Sequence, residues 1–568
     1  MFIQAIPRKG HKYYAIYEGK RINGKVTRKT KLYLGSLENI DEPKRLEFEE
    51  KIKKLDDPAL ITKFRSIIVS LGYKLPSSLT DISVEETFDY GRELAFHKVC
   101  EEIDFVNIVD KFSNKGGGPS IGKIVEAMSI NRNCDPCSYF KLQEWYSRSS
   151  LPIFLKFPCS ELTYDVSLNA LDYLQPENTI KMQAAIYENI RKVYHYDCDR
   201  LDIDLTSTYF EGNKCILATF GYSRDHRPDR PQIVIAFIVD QKGILVTHRV
   251  WSGNQSDAKS LEPIDDCLTQ KFKLDAPRVM DRGIATWANL DYMDKNEERY
   301  LVAIRAKIKA TKFLDEVGMP SEKWIDVGEN EVGASIIKDK RKYIITWNSS
   351  VAATNRKERE ARVEKAEKEL IKIQGAVTSG RIDSRKKRDE KIGHIKSKFG
   401  VTRYINTKGD KKGFGFSMMR SNAFIEAKNY DGYQIFATTE FDLTEKDVVE
   451  SYRTRDQIEK AIQTLKCALS LHPQYVRTTE HVLGNIFVCS MAYQLRSILK
   501  MKLKNNEICM SVDDAMAVLE RLKEVEIVIG KGDEIEVRRK LGGVNSESRT
   551  LIDVFNMATN GILPGVEP

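Results

Sequence analysis

The sequence predicts an α/β fold, and three stretches carry the prediction. Leu201-Asp202-Ile203-Asp204-Leu205-Thr206 alternates apolar and polar, which reads as a half-buried strand with its carboxylates on the open side. Gln232 to Val239 and Ile244 to Trp251 are strand-like runs joined by Asp240-Gln241-Lys242-Gly243, a hairpin with Gly at its turn. A polar stretch with Ser256 and Asp257 opens a helix-like segment ending near Phe272, and Pro277 to Met280 reads as a short strand leading into Asp281.

A late helix completes the pattern. Tyr452 to Lys466 reads Y-R-T-R-D-Q-I-E-K-A-I-Q-T-L-K. Spacings of three, four and seven place Tyr452, Arg455, Glu459 and Lys466 on one helix face. Ile458, Ile462, Leu465 and Leu469 form a second stripe, roughly 80° away at ~100° per residue. The polar quartet therefore lies on the shoulder of the core-facing side, where a carboxylate is half-buried and still reaches a ligand. The competing reading is a salt-bridged amphipathic helix. The two upstream aspartates weigh against it. Strand, strand, strand, helix, strand and a much later helix, with acids on the first strand, the end of the fourth and the late helix, is the layout of an RNase H-like domain.

That layout suits metal-ion chemistry on phosphodiesters. Mg2+ or Mn2+ takes oxygen ligands, usually a few carboxylates plus water and phosphate oxygens. Two such ions ~4 Å apart activate a water or 3′-hydroxyl and stabilise the leaving oxygen. Asp204 is expected to bridge both ions, with Asp281 and Glu459 each completing one. Arg455 and Lys466 are expected to hold DNA phosphates, the first as a fork and the second as a point charge. Tyr452 and Arg282 join them as expected DNA contacts. Asp202 shares the face of Asp204 and is the alternative first acid.

Y-(2)-R-(3)-E-(6)-K, matched at every spacing by Tyr452, Arg455, Glu459 and Lys466, resembles the signature around the third acid of DDE transposases of the IS-four superfamily. The segment Asp204-Leu205-Thr206-Ser207-Thr208-Tyr209-Phe210-Glu211 resembles the superfamily's D-[VL]-T-[TS] block, which favours Asp204 over Asp202. Gly221 to Asp229, Gly253-Asn254-Gln255-Ser256-Asp257 and Asp281-Arg282-Gly283 look like its next three blocks in order. The resemblance covers nearly the whole chain and is closest to the IS-sixteen-thirty-four branch. Two positions depart from the pattern: His472 stands before Pro473 where Arg is expected, and Asn485 follows Gly484 where His is expected. The resemblance implies cut-and-paste transposition through two metal ions. Its implied partners are double-stranded DNA, as terminal inverted repeats and target, and a second copy of the chain. The implied setting is a prokaryotic cytoplasm, at the nucleoid when DNA is bound. Two alternatives stay open: a catalytically silent transposase-derived DNA-binding protein, and an RNase H-like structure-specific nuclease without strand transfer.

Bulk properties agree. A chain of 568 residues holds about three or four domains, and its net charge of +8 suits a DNA partner among others. The ten cysteines are scattered, with only Cys134 and Cys137 as a C-x-x-C, which suits two thiols in a helical region and a reducing compartment more than zinc. The N-terminus has no apolar core of the signal-peptide kind, and no run approaches the ~20 apolar residues of a membrane span.

Six regions are expected. Residues 1–40 form a basic β-hairpin module turning at Asn23-Gly24, either a DNA clamp or an edge ribbon guarded by lysines. Residues 41–194 form a helical region for terminal-repeat DNA, with polar joints at 114–118 and 147–150. Residues 195–305 are the first part of the catalytic core. Residues 306–428 are an insertion domain, with strands Tyr300 to Ile304 and Lys342 to Trp347 near it and charged helices from Arg356 to Gln374 and Arg381 to Lys398. Residues 429–504 return to the core through a strand at Tyr433 to Thr438, with Thr444 and Asp447 approximating a capping box for the Glu459 helix. Residues 505–568 are a tail in which Val512, Ala515, Val518, Leu519 and Leu522 make an apolar stripe, either core packing or a dimer contact.

Overall fold

The structure is a computed structural model. It describes residues 1–73, 82–304, 324–410, 415–529 and 536–557, less 9–10, 23–24, 39, 56, 114 and 213; within 305–323 it describes only 313, 316–318 and 320. The Asn23-Gly24 turn and Asn114 lie outside the described residues. The chain divides into two compact units, residues 1–173 with 494–568, and residues 174–493.

The first unit opens with an antiparallel sheet of three strands, β1 (Phe2–Arg8), β2 (His11–Ile22) and β3 (Lys25–Ser36), in that order. The sequence suggested a hairpin; Pro7 obscured β1, but at a sheet edge a proline is tolerated. Tyr14, Ile16 and Leu34 pack on the helices Glu42–Lys53 and Pro58–Ser70 through Phe48, Ile52, Phe64 and Ile68. The helices that follow, from Gly91–Glu102 to Tyr164–Asp172, are preceded by a strand, β4 (Ile82–Asp89), in a region expected to be helical throughout.

In the second unit, β5 (Leu201–Tyr209), β6 (Gln232–Asp240), β7 (Leu245–Ser252), β8 (Arg278–Met280) and β9 (Tyr300–Ile304) lie in the order β7-β6-β5-β8-β9. The β5–β6 and β6–β7 pairs are antiparallel, and β5–β8 and β8–β9 are parallel. β6 is buried at every position, as its unbroken Ile-Val-Ile-Ala-Phe-Ile-Val run requires of a strand covered on both faces. Asp240 closes the β6–β7 turn: its Oδ1 accepts from the N–H groups of Lys242 and Ile244, both at 2.9 Å, and Gly243 takes φ 78°.

Beyond β9 the same sheet continues. β10 (Ile325–Gly328), β11 (Glu331–Lys338) and β12 (Arg341–Asn348) extend it to nine strands, joined to β9 through a later strand. Residues 325–348, expected in an insertion, are thus part of the central sheet; alternation marked Lys342 to Trp347 as a strand but not β10 or β11, and it does not say which sheet a strand joins. The departure from the sheet starts at Ser349. The helices Ser349–Thr378 and Arg385–Lys398 pack with a hairpin, β13 (Ile405–Gly409) and β14 (Phe416–Arg420), around Val363, Ala366, Leu370, Ile392, Tyr404 and Phe416. The chain returns as β15 (Tyr433–Thr438), antiparallel to both β12 and β9.

The last described segment belongs to the first unit. β16 (Lys523–Ile529) pairs with β4 and with β17 (Glu536–Gly542). Ala515, Leu519 and Leu522 are wholly buried in the chain's own packing. Most of that stripe is therefore filled by core contacts, with Val512 half-buried. The helix Thr479–Asn505 is, against expectation, long and apolar enough to cross a membrane, but 89% of its apolar window is buried inside the protein.

Candidate active site

Asp204 lies on β5, Asp281 directly after β8, and Arg455 ahead of the helix Asp456–Lys466. The parallel β5–β8 pairing brings the two aspartates to the same sheet end. The helix presses Ile458, Ala461, Leu465 and the following Leu469 onto Ile233, Ile235 and Phe237 of β6. Between the aspartates sits the Arg455 guanidinium, Nη2 3.3 Å from Asp204 and Nη1 3.3 Å from Asp281. Burial opposes the Arg455 charge, yet Asp204, Tyr452 and Asp281 together hold its pKa above the ordinary value. Burial pushes the Asp204 carboxyl up to about 6; Arg455 pulls it back, and the neighbouring Asp281 and Glu459 charges add to the rise.

Tyr452, Arg455, Glu459 and Lys466 were expected on one helix. Tyr452 lies on the helix Glu445–Arg453, Glu459 and Lys466 on the helix Asp456–Lys466, and Arg455 at the joint between them. The break falls at Thr454, whose hydroxyl bonds the Ser451 carbonyl at 3.0 Å, while Arg200 donates to that carbonyl at 3.0 Å and to the Thr454 hydroxyl at 2.5 Å. Groups that would continue the helix are thus taken elsewhere. The Thr444–Asp447 capping box is real, but it starts the first of these helices and not the one carrying Glu459. Tyr452 stays beside Arg455 across the break: its hydroxyl accepts from Nη1 at 3.3 Å and its ring packs 5.2 Å from Phe436.

Glu459, expected half-buried, is exposed in the first turn of its helix, where a carboxylate is favoured by the helix dipole. Lys466 is not free for a phosphate. It sits 2.6 Å from Asp225, both side chains being mostly buried. Arg282 is exposed, beside the acids. Asp202, the alternative first acid, is wholly buried and held by Arg200 at 2.9 Å, with burial raising its pKa to about 6. Among the described residues, no group of three or more His, Cys, Asp or Glu side chains is arranged to hold a metal ion.

The sequence blocks meet in space. Asp225 accepts from Ser207 of β5 at 3.1 Å, and Arg224 pairs with Asp257. A Cβ on Gly283 would stand 2.9 Å from Asp257 Oδ2, and one on Gly253 would stand 2.1 Å from the Gln232 carbonyl. These glycines are close-approach positions. The two departures from the family pattern make structural contacts. His472 lies 3.2 Å from the Thr208 hydroxyl and edge-on to Tyr209, and Asn485 donates to Gln474 at 3.1 Å. Asp225, Asp257 and Arg200 were not given roles from sequence; the first two lay inside quoted blocks, and no spacing rule pointed to Arg200.

The profile of the family described as Transposase DDE domain matches residues 199–495, the span that holds all of these groups and more than half of the chain. The chain belongs to the DDE transposase family. No curated protein matches this transposase by sequence. Among solved structures it is similar to the piggyBac transposase synaptic complex with hairpin DNA, at 9% identity and a TM-score of 0.35, over 84% of this chain and 87% of that one. It is also similar to the Mos1 transposase paired-end complex with left transposon end, at 12% identity and a TM-score of 0.14, over 33% of this chain and 60% of that one. The Mos1 mariner paired end complex with Mn matches at 12% identity and a TM-score of 0.13, over 46% and 77%.

Proposed function

We propose that this transposase is a cut-and-paste enzyme of the IS-four superfamily, nearest its IS-sixteen-thirty-four branch. It cleaves DNA at terminal inverted repeats and joins the 3′ ends to a target. The observation that carries the reading is Arg455 between Asp204 and Asp281, with Glu459 one turn further and electrostatically coupled to Asp204. On this reading strands β7-β6-β5-β8-β9 are an RNase H-like core, and residues 349–430 are its insertion domain.

The donor set suits Mg2+ or Mn2+: three carboxylates and no sulfur or imidazole. Asp204, Asp281 and Glu459 are the residues that would hold two ions. Those ions would supply an activated water or 3′-hydroxyl and stabilise the leaving oxygen. Arg455 supplies positive charge between two of the acids, so it keeps them near one another at a cost in ionisation that the guanidinium partly offsets. Tyr452 braces that guanidinium. Lys466 ties Asp225, and with it the 221–229 loop, to the Glu459 helix; it acts on DNA by positioning that loop. Arg282, exposed beside the acids, is the DNA phosphate contact. Two DNA ends call for two active sites, so the working species is a homodimer on DNA, in the cytoplasm and at the nucleoid.

The test is excision and reinsertion of a marker flanked by the DNA that borders the coding sequence. Excision with rejoining that Asp204→Asn abolishes is the expected result. Cleavage without joining would make the protein a structure-specific nuclease, and binding without cleavage a silent DNA-binding relative.

A further inference from the structure

Asp204 is fixed by the ladders of β5, but the other two acids lie where strand pairing does not reach. Asp281 comes directly after the last residue of β8. Glu459 sits in the first turn of a helix whose hold on β6 is apolar packing, which has no direction of its own. Ions that demand ligands ~2 Å away tolerate little drift among these three elements. Two adjacent residues of the 221–229 loop bond to all three.

Arg224 and Asp225 are anchored to β5 through one hydroxyl. Ser207 Oγ accepts from the Arg224 N–H at 3.2 Å and donates to Asp225 at 3.1 Å, and Ser207 itself is wholly buried. From that point the two side chains part. Asp225 holds Lys466, in the last turn of the Glu459 helix, at 2.6 Å. Arg224 pairs with Asp257 Oδ1, and the other oxygen of that carboxylate lies against Gly283, where a Cβ would meet it at 2.9 Å. The Asn289 amide closes the same joint, donating to the Ala258 carbonyl at 2.8 Å and to the Ile284 carbonyl at 2.7 Å. The backbone N–H groups of Ile284 and Ala285 donate to the Asp281 carbonyl, both at 3.0 Å. One dipeptide is thus bonded to the strand of the first acid, to the helix of the third and, through Asp257, to the turn of the second.

We infer that Arg224 and Asp225 are positioning residues for cleavage, a clamp that sets the separation of Asp204, Asp281 and Glu459 without touching the reacting groups. The inference rests on the proposed metal-dependent chemistry and adds what holds its three acids in register. Charged partners give the clamp its strength, because hydrogen bonds between ionised groups are roughly twice as strong as neutral ones. All four charged side chains are at least partly shielded, so solvent and salt screen them less than a fully exposed pair. An arginine kept for phosphate would be free; Arg224 is committed to Asp257. Outer groups that orient metal ligands typically carry about 10- to 100-fold in metal affinity or activity.

Three variants of the full-length protein test it: Arg224→Met, Asp257→Asn and Asp225→Asn, the second keeping side-chain shape should the first fold poorly. Amide hydrogen exchange, without DNA or metal, reads the clamp directly. Arg224→Met and Asp257→Asn are expected to speed exchange about tenfold or more at Ile284 and Ala285 and to leave the helix Asp456–Lys466 as in wild type; Asp225→Asn is expected to do the reverse. On duplexes carrying the DNA that borders the coding sequence, each variant should nick about 10- to 100-fold more slowly and need several-fold more Mg2+ for half-maximal rate. Duplex affinity in EDTA should stay within about threefold of wild type. Exchange unchanged at both places, or raised evenly across residues 174–493, overturns the inference, as does nicking with the wild-type rate and Mg2+ requirement. Loss of duplex affinity in Arg224→Met at an unchanged Mg2+ requirement makes that arginine a phosphate contact, which also overturns it. Wild type that binds but never nicks overturns the proposed function instead, and the exchange pattern then decides the clamp alone.

Discussion

Asp204→Asn is expected to stabilise the protein while abolishing cleavage, and the size of the effect follows from the carboxyl's surroundings. Its side chain is 21% exposed, and burial, with Asp281 and Glu459 nearby, raises the pKa from 3.8 to about 6. A carboxyl raised on folding favours the folded state in its protonated form. The stability it contributes is complete below pH ~4 and is lost as pH rises through ~6. At pH 8 the ionised group therefore costs the fold about 3 kcal/mol, falling to about 1.5 kcal/mol at pH 5. Arg455 is already counted in that figure, because it pulls the same pKa down. Asn has the shape of the neutral acid, so it removes the cost. The assay is denaturant unfolding of both proteins at pH 8 and pH 5, with the transition of the unit holding residues 174–493 followed separately. The variant should be more stable at both values, with the larger gain at pH 8. An Asp204→Asn protein less stable than wild type at pH 8 would refute the reasoning, since the carboxylate would then be a net anchor and not a strained group.

Lys466→Met leaves Asp225, mostly buried, with the Ser207 hydroxyl and His472 but without its lysine and should cost roughly 2–3 kcal/mol, at the low end for a broken buried pair; adding Asp225→Asn should recover most of it in a double-mutant cycle. Gly253→Ala puts a Cβ 2.1 Å from the Gln232 carbonyl, so a loss of about 3 kcal/mol or more, or insoluble protein, is expected from thermal unfolding. Asp202→Asn should alter stability through its bond to Arg200 yet leave nicking within about tenfold of wild type, separating the two aspartates of β5 by a simple gel assay. Chelating divalent ions should stop nicking and leave duplex binding in place, because affinity comes from bases and phosphates.

Much of the central sheet was legible because its strands announce themselves. The Gln232 to Val239 run reads as a strand, and its unbroken apolar sequence matches the burial at every position that the structure shows. The Ile458, Leu465 and Leu469 stripe marked the buried side of the Glu459 helix. What stayed hidden depended on contacts between distant residues. Arg200 lies about 250 positions from the helix break it helps to cause, and no local pattern around Thr454 signals the break. Lys466 looked like a phosphate ligand from its spacing; Asp225, 241 positions away, holds it instead. The strand at Lys342 to Trp347 showed its period but not its partner β15, and the strands at 325–338 were not read from the sequence at all. In the first unit, β4 and β16 pair across more than 400 residues, which no local reading could join. The motif blocks were found as a list, and the structure explains the list: Arg224 with Asp257, and Gly283 against Asp257, are one contact surface.

The central claim is that Asp204, Asp281 and Glu459 act together in DNA cleavage, and nicking by Glu459→Gln tests it most directly. Glu459 is exposed and makes no core contact, so its replacement by Gln should leave folding unchanged. On duplexes carrying the DNA that borders the coding sequence, with Mg2+, the variant should bind within about threefold of wild type and nick at least about a hundredfold more slowly, the loss expected for a missing metal ligand. Nicking within about tenfold of wild type would contradict the account.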